Sequence, residues 1–294
     1  MPGILITGIN GFVGKVLAEE LSGDPLYKLY GTDINCESSN NKCFEFALAD
    51  LSDYNQLDKL KFPVEIIVHL AAITDASADK SLIDKINVKS VENICRFAEK
   101  RNIKKIIYLS TVSVYSNFNA VVIDESTPVD PVNYYGESKL KAENIIIRSG
   151  INYTILRPTN VFGGLNDKYA SYFNKIQSKK KYPGLIFYYN RNTHLLYLYD
   201  LIDIIKNCLK NSKSNGNIFI VSDDECNTFE KNILNEVIIF FNQKKKILPH
   251  PLFWKNKDNR NFSSSKLKNM LGVKFRFGVY AGLKKYLADC ICLK

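Results

Sequence analysis

Along the first 160 residues, apolar positions fall into two patterns. Short unbroken runs recur as GILITG at 3–8, YKLYGTD at 27–33, VEIIVHLAA at 64–72, KKIIYLS at 104–110 and NYTILRP at 152–158. Apolar runs of this length, without polar alternation, predict strands of a sheet covered on both faces. Between them, residues 13–23, 51–60, 84–101 and 134–150 space their apolar residues as helices do. Strand then helix, repeated, predicts an α/β fold with a doubly wound parallel sheet.

Beyond RPTNVFGG at 157–164 the rhythm breaks. NIFIVSD at 217–223 reads as one more strand, a lysine-rich helix is expected near 167–181, and residues from 226 onward read as a smaller mixed cap. Within that cap, residues 262–287 predict a serine-capped helix, a glycine break at Gly272 and a second helix. No low-complexity linker separates the parts. The expected organisation is therefore a main domain of 1–162 and 193–222 interleaved with a lobe of 163–192 and 223–294.

Composition narrows the class. With 294 residues, 46% of them hydrophobic, the chain has ample material for a large core. No apolar run approaches the roughly 20 residues of a spanning helix, and no charged region precedes an apolar one at the N-terminus. A cytoplasmic protein with no membrane partner is expected. The seven cysteines are scattered without a CxxC pair, and His69, His194 and His250 lie far apart, so neither a disulfide framework nor a metal site is expected. The net charge of +10 is spread along the chain in company with many asparagines. It suggests attraction of a small anionic substrate more than binding of nucleic acid, and no nucleic-acid partner is expected.

The first chemistry is LITGINGFVGKVL, where Gly8, Gly11 and Gly14 follow a strand and open a helix. Gly8 permits the tight turn, Gly11 lets a pyrophosphate approach the backbone, and Gly14 lets helix and strand pack closely. The helix N-terminus offers its N–H groups to the phosphates. The second strand ends in Asp33, about 20 residues on, where dinucleotide sites hold a ribose-binding acid. A carboxylate there accepts from a ribose 2′-OH and repels a 2′-phosphate, which favours NAD over NADP.

The second chemistry is NYYGESK at 133–139. Tyr135 and Lys139 stand four apart on a helix, about 5–6 Å between Cβ atoms. The ammonium is expected to stabilise a phenolate, and the positive charge of an adjacent oxidised nicotinamide to draw the phenol further below its usual pKa of about 10. Tyr134 has only Ser138 at that offset and points elsewhere, so it reads as a packing or substrate-edge residue. Tyr280 and Lys284 share the spacing without a glycine loop to serve them, and read as core plus solvated charge.

These features, with Asp33, Asp50–Leu51, HLAA at 69–72, Asn87, STVSVY at 110–115, YGESK at 135–139 and RPTNVFGG, resemble the extended short-chain dehydrogenase/reductase family, its nucleotide-sugar epimerase and dehydratase group. The resemblance runs from Gly3 to the SSSKLKNMLG segment. It implies a Rossmann-type NAD domain with a C-terminal substrate lobe for a nucleoside-diphosphate sugar, and the family often forms homodimers. Cofactor contacts carried over are Gly8, Asn10, Gly11, Phe12, Val13, Gly14, Asp33, Asp50, Leu51, Leu70, Ala71, Ala72, Asn87, Tyr135 and Lys139. The family's catalytic trio falls on Thr111, Tyr135 and Lys139. Substrate contacts fall on Thr111, Ser113, Tyr135, Asn160, Arg191 and Arg260. Thr193 stands where the family usually has an arginine, leaving the diphosphate to Arg191 or Arg260, and Ser116 replaces a usual glycine.

Family dehydratases carry an Asp-Glu pair directly after the threonine. Here Val112 and Ser113 follow Thr111, which argues against water loss. An NAD-dependent epimerase acting at C4, through transient oxidation to a 4-keto sugar and hydride return, is the expected activity. A 4-keto-sugar reductase using NADH or NADPH is the alternative. A non-catalytic dinucleotide-binding protein is a third reading, against which the retained trio argues.

Overall fold

The computed structural model describes residues 1–36, 44–115, 122–131, 133–164, 185–188, 193–224, 230–242, 244, 246–249 and 260–292. The helix expected near 167–181, Ser116 and Arg191 lie outside these residues. Seven strands make the central sheet: β1 Gly3–Thr7, β2 Lys28–Asp33, β3 Glu45–Leu48, β4 Ile66–His69, β5 Lys105–Leu109, β6 Tyr153–Pro158 and β7 Asn217–Val221. Their order is β7-β6-β5-β4-β1-β2-β3 and every pairing is parallel. The chain winds outward from β1 to β3, then restarts at β4 on the other side. Such a reversal opens a crevice at the carboxyl ends of the strands, where parallel sheets bind their ligands.

Successive side chains of each strand leave on opposite faces. Ile4 and Ile6 of β1 join the core with Leu17 and Leu21 of the helix Phe12–Leu21 and Leu201 and Ile205 of the helix Leu198–Lys210. Leu5 joins the opposite core with Ile94 of the helix Ser90–Lys100 and Ala142 and Ile146 of the helix Tyr134–Arg148. Burial on both faces is what the unbroken apolar runs required.

A third apolar cluster unites Phe162, Tyr197, Leu234, Val237, Leu283 and Tyr286. It packs the helix Glu230–Phe240 against the helix Gly278–Cys292, where Tyr280 is partly buried in the cluster and Lys284 is exposed, as the sequence implied. Asp200 and Asp223 hold the N-terminus of the second helix: Asp200 accepts the Phe277 and Gly278 N–H groups at 3.0 Å, and Asp223 accepts that of Val279 at 2.7 Å. Both carboxylates face the positive end of the helix.

Three local readings are corrected. Strand β3 is absent from the sequence-derived elements because it is short and edge-facing, with exposed Glu45 and Leu48. The helix expected from 84 begins at Lys80 and widens into a π turn over Asp84–Lys89, a local expansion often found at functional sites. Ser264 does not cap its helix through its side chain. Its buried hydroxyl donates to the Ser222 carbonyl at 2.8 Å and accepts the Ser222 N–H at 2.8 Å, stitching the helix Ser265–Leu271 to the end of β7.

Lys105 is a buried cation at the far end of the sheet, donating to the Cys208 carbonyl and the Ser214 hydroxyl, each at 2.7 Å. Burial lowers its pKa from 10.5 to about 8, opposed by Cys208. Below pH 8 the lysine is charged both folded and unfolded, so the full cost of burying the charge is present. Between pH 8 and 10.5 the unfolded chain binds the extra proton, so stability rises with pH. We expect the stability of the parent relative to Lys105→Met to increase by on the order of 3 kcal/mol between pH 7.5 and 10.5, read from urea unfolding. A constant difference would show that the amine does not titrate differently in the fold.

Candidate active site

The carboxyl ends of β1, β2, β4 and β5 converge at the crevice. Gly8 turns there at φ +67°, and a Cβ on it would lie 2.8 Å from the backbone of Ala71 in the loop after β4. At Gly14 a Cβ would come within 2.2 Å of the Gly8 carbonyl oxygen, so a hydrogen there is what lets helix and turn touch. At Gly11, among the described residues beyond its chain neighbours, only the Gly8 carbonyl group lies within 4 Å of that position, at 3.0 Å for its oxygen. The loop thus leaves a cradle open beside Gly11, at the N-terminus of the helix Phe12–Leu21, which fits a dinucleotide pyrophosphate. Phe12 and Val13, in the first turn, are half-buried against the core. We expect Gly14→Ala to weaken NAD retention at least about tenfold, a loss of about 1.4 kcal/mol. It is measured as NAD released on denaturing the purified protein, and undiminished NAD would contradict the fit.

At the end of β2, Asp33 is fixed by its neighbours. It accepts the Asn10 N–H at 3.0 Å and the Asn35 N–H at 3.2 Å, while the Asn10 amide donates to the Asn35 carbonyl at 2.6 Å. Each carboxylate oxygen keeps acceptor capacity for a diol. Further along, Asp50 pairs with Lys85 at 3.2 Å, Leu51 is buried, and the Leu51 carbonyl receives the Asn93 amide at 2.8 Å. Leu70 donates its N–H to the Thr7 carbonyl at 3.2 Å, and Ala71 and Ala72 continue the half-buried loop. Asn87, in the π turn, is 1% exposed and engages both ends of its amide: it accepts from Ile73 N–H at 2.8 Å and donates to the Ile73 carbonyl and the Ser138 hydroxyl, each at 3.0 Å. It therefore ties the loop after β4 to the helix carrying Lys139.

Thr111, just past β5, donates to the Ser113 hydroxyl at 3.1 Å and accepts the Ser113 N–H at 3.1 Å. Thr111 is close enough to the Tyr135 phenol to act on its pKa, lowering it. Asn133 caps the helix Tyr134–Arg148 by accepting the Gly136 N–H at 2.8 Å. Gly136 is needed where it stands, since a Cβ would lie 2.6 Å from the Ser113 carbonyl oxygen. That close approach brings Tyr135 to the Thr111 turn.

Burial governs the electrostatics of the pair. Burial pushes the Tyr135 phenol up to about 12, with the Thr111 hydrogen bond opposing, and burial draws Lys139 down to about 7, with Glu143 opposing. The Lys139 Nζ sits 4.3 Å from the centroid of the Tyr108 ring. In the protein alone desolvation dominates at both groups, so drawing the phenol down requires the further positive charge expected of an oxidised nicotinamide. Tyr134 turns away from this trio: it donates to Asp84 at 2.5 Å, with the Lys80 and Lys141 ammonium groups each 5.0 Å from its ring.

Behind the trio runs a buried network that the sequence reading missed. Glu143, one turn beyond Lys139, pairs with Arg157 of β6 through contacts of 2.5 and 3.0 Å and accepts from Ser110. Arg157 also bonds the Tyr115 hydroxyl. Two signals were available: Glu143 continues the Tyr135–Lys139 stripe at helical spacing, and Arg157 is a charge inside an apolar strand. Of the expected substrate contacts, Ser113 lies against Thr111. Arg260 donates to the Tyr115 carbonyl at 3.5 Å, which brings it to the same loop. The Asn160 amide is turned onto the Thr193 carbonyl at 2.7 Å. Among the described residues, no group of three or more His, Cys, Asp or Glu could hold a metal ion, and no helix is long and apolar enough to cross a membrane.

Comparison with known proteins matches residues 4–222 to the profile described as "NAD dependent epimerase/dehydratase family". A protein of Escherichia coli O157:H7 named N-acetyl-alpha-D-glucosaminyl-diphospho-ditrans,octacis-undecaprenol 4-epimerase is 31% identical over 219 residues, 71% of this chain and 63% of that protein. The UDP-glucose 4-epimerase of Vibrio cholerae is 26% identical over 266 residues, 85% of this chain and 79% of that protein. The match thus spans less than two thirds of the first relative's length. Among solved structures, the Bordetella bronchiseptica enzyme WbmG in complex with NAD superposes with a TM-score of 0.85 at 20% identity, covering 97% of this chain and 93% of that one. The shared architecture confirms the Rossmann-type fold.

Proposed function

The chain belongs to the NAD dependent epimerase/dehydratase family, and from that premise we propose that it is a nucleotide-sugar epimerase that inverts C4 through a transient 4-keto sugar. The observation that carries this reading is the buried Tyr135 phenol set beside Thr111, with Lys139 one turn further along the same helix. The glycine cradle and Asp33 would hold NAD, which would supply the hydride acceptor and donor and, when oxidised, a positive charge. Thr111 holds the sugar O4 by a hydrogen bond. Tyr135, as phenolate, takes the O4 proton while the C4–H bond breaks, and returns a proton to that oxygen after the other face of the ketone has been presented. Lys139 supplies charge that keeps the phenolate accessible.

Three features choose among neighbouring reactions. Val112 and Ser113 beside Thr111 provide no acid-base pair for eliminating water. Asp33, fixed to accept a ribose diol, favours NAD, the form an epimerase retains through its cycle. The E. coli O157:H7 and V. cholerae relatives are both named 4-epimerases, which supports C4 and a diphosphate-linked sugar as substrate. Arg260 and Arg191 are the proposed diphosphate contacts, and the lobe of 163–192 and 223–294 is the proposed sugar-nucleotide lobe.

The test is incubation with UDP-, dTDP-, GDP- and CDP-sugars and a polyprenyl-diphosphate-linked amino sugar, first without added cofactor and then with NADH or NADPH. Epimer formation without additions supports the reading. Conversion only with stoichiometric reduced cofactor would replace it with a 4-keto-sugar reductase.

A further inference from the structure

The sheet register lays a row of side chains beneath the helix that carries Lys139. Thr7 of β1 pairs with His69 of β4, and His69 pairs with Tyr108 of β5. Each follows by two positions a core residue of one sheet face, Leu5, Ile67 and Ile106, so all three leave on that same face. The Thr7 hydroxyl is 2.7 Å from His69 Nδ1 and accepts the Leu70 N–H at 3.2 Å. The imidazole stacks on the Tyr108 ring, centroids 5.7 Å apart and planes 16° from parallel. On Tyr108 rests the Lys139 ammonium, 4.3 Å from the ring centroid.

We infer that Tyr108, braced by His69 and Thr7, is a positioning residue for the proposed reaction: its ring face seats the Lys139 ammonium and ties that seat to Gly8 of the cofactor loop. The ring is the working part, because the Tyr108 hydroxyl has no hydrogen-bond partner among the described residues. His69 is suited to the brace because burial, and next the charge of Lys139, hold its pKa down at about 3, so it never sets a second cation beside the lysine. Among the described residues, the groups acting on Lys139 are Glu143 on its own helix, where Tyr135 stands one turn before it, His69 on β4 and Tyr108 on β5. Arg157 of β6 pairs with Glu143, so the carboxylate only partly offsets the lysine's desolvation. A desolvated cation on an aromatic face gains enough to move a lysine pKa by about one unit.

The inference rests on the epimerase reading for its purpose but not for its test. In protein labelled with 13C at lysine Cε, the Lys139 resonance, assigned by its loss in Lys139→Met, is followed against pH by NMR. Ring-current displacement and the parent midpoint are expected to persist in Tyr108→Phe. In Tyr108→Leu the displacement should vanish and the midpoint fall by about one unit. Replacing residue 108 with 3,4,5-trifluorophenylalanine keeps the shape while weakening the ring face, and should lower the midpoint even if Tyr108→Leu fails to fold. An unmoved Lys139 resonance in the folded Leu or trifluoro variant, or a Phe variant that behaves like Leu, would overturn the inference. Turnover is read in parallel. From pH 6 to 8 the deficit of the Leu or trifluoro variant relative to Phe should widen with pH, whereas a packing defect alone would give a constant factor. If no variant or parent turns over any nucleotide sugar, the epimerase reading fails while the NMR result stands.

Discussion

Tyr135→Phe is expected to lower turnover by about 10²- to 10⁴-fold, the range for losing a positioned acid-base group, with NAD content and folding intact. The benzyl side chain keeps its packing and loses only the hydroxyl that meets Thr111. Lys139→Met separates charge from placement. With burial holding the phenol at about 12 and its cationic neighbour removed, the phenolate must form without that help. The rate should therefore fall most near neutral pH and recover in part as pH rises. A pH-independent loss would mean that Lys139 chiefly holds the cofactor, and an unchanged rate in Tyr135→Phe would remove the tyrosine from the mechanism.

The second large effect is structural. Arg157→Met strips the paired cation from Glu143, which is 1% exposed and would keep the Ser110 hydroxyl and the more distant, partly charged Lys139. Breaking one side of a buried ion pair typically costs about 3–5 kcal/mol, because the remaining charge is stranded. The expected result is a fall of that size in urea-derived stability. The double variant Arg157→Met/Glu143→Gln should recover much of it, since no stranded charge remains. Equal destabilisation in single and double variants would show that Arg157 acts through packing and its bond to Tyr115 instead.

What could be read from the sequence was what is local to it. Gly8, Gly11 and Gly14 state a turn and a helix start within seven residues, and Tyr135 and Lys139 stand one turn apart because they share a helix. Asp33 was legible because strand, helix and strand fix how far the chain returns. By contrast, Glu143 meets Arg157, and His69 meets Tyr108, only through a sheet register that no spacing reveals. Strand β3 escaped because a half-exposed edge segment lacks the continuous apolar run of its neighbours. The depth of burial around Tyr135 was not legible either. Spacing reports that a cation is near, but the depth of burial decides whether proximity or desolvation wins. Ser264 is a similar case: its position before a helix reads as a cap, yet β7 presents it with a nearer backbone partner.

The central claim is that hydrogen leaves C4 of a nucleotide sugar and comes back to the same carbon. It is tested most directly with a UDP-sugar carrying deuterium at C4, incubated with the purified protein and no added cofactor. The account predicts the C4 epimer with its deuterium retained at C4. Deuterium lost to water, or no epimer until a reduced cofactor is supplied in stoichiometric amount, would contradict it.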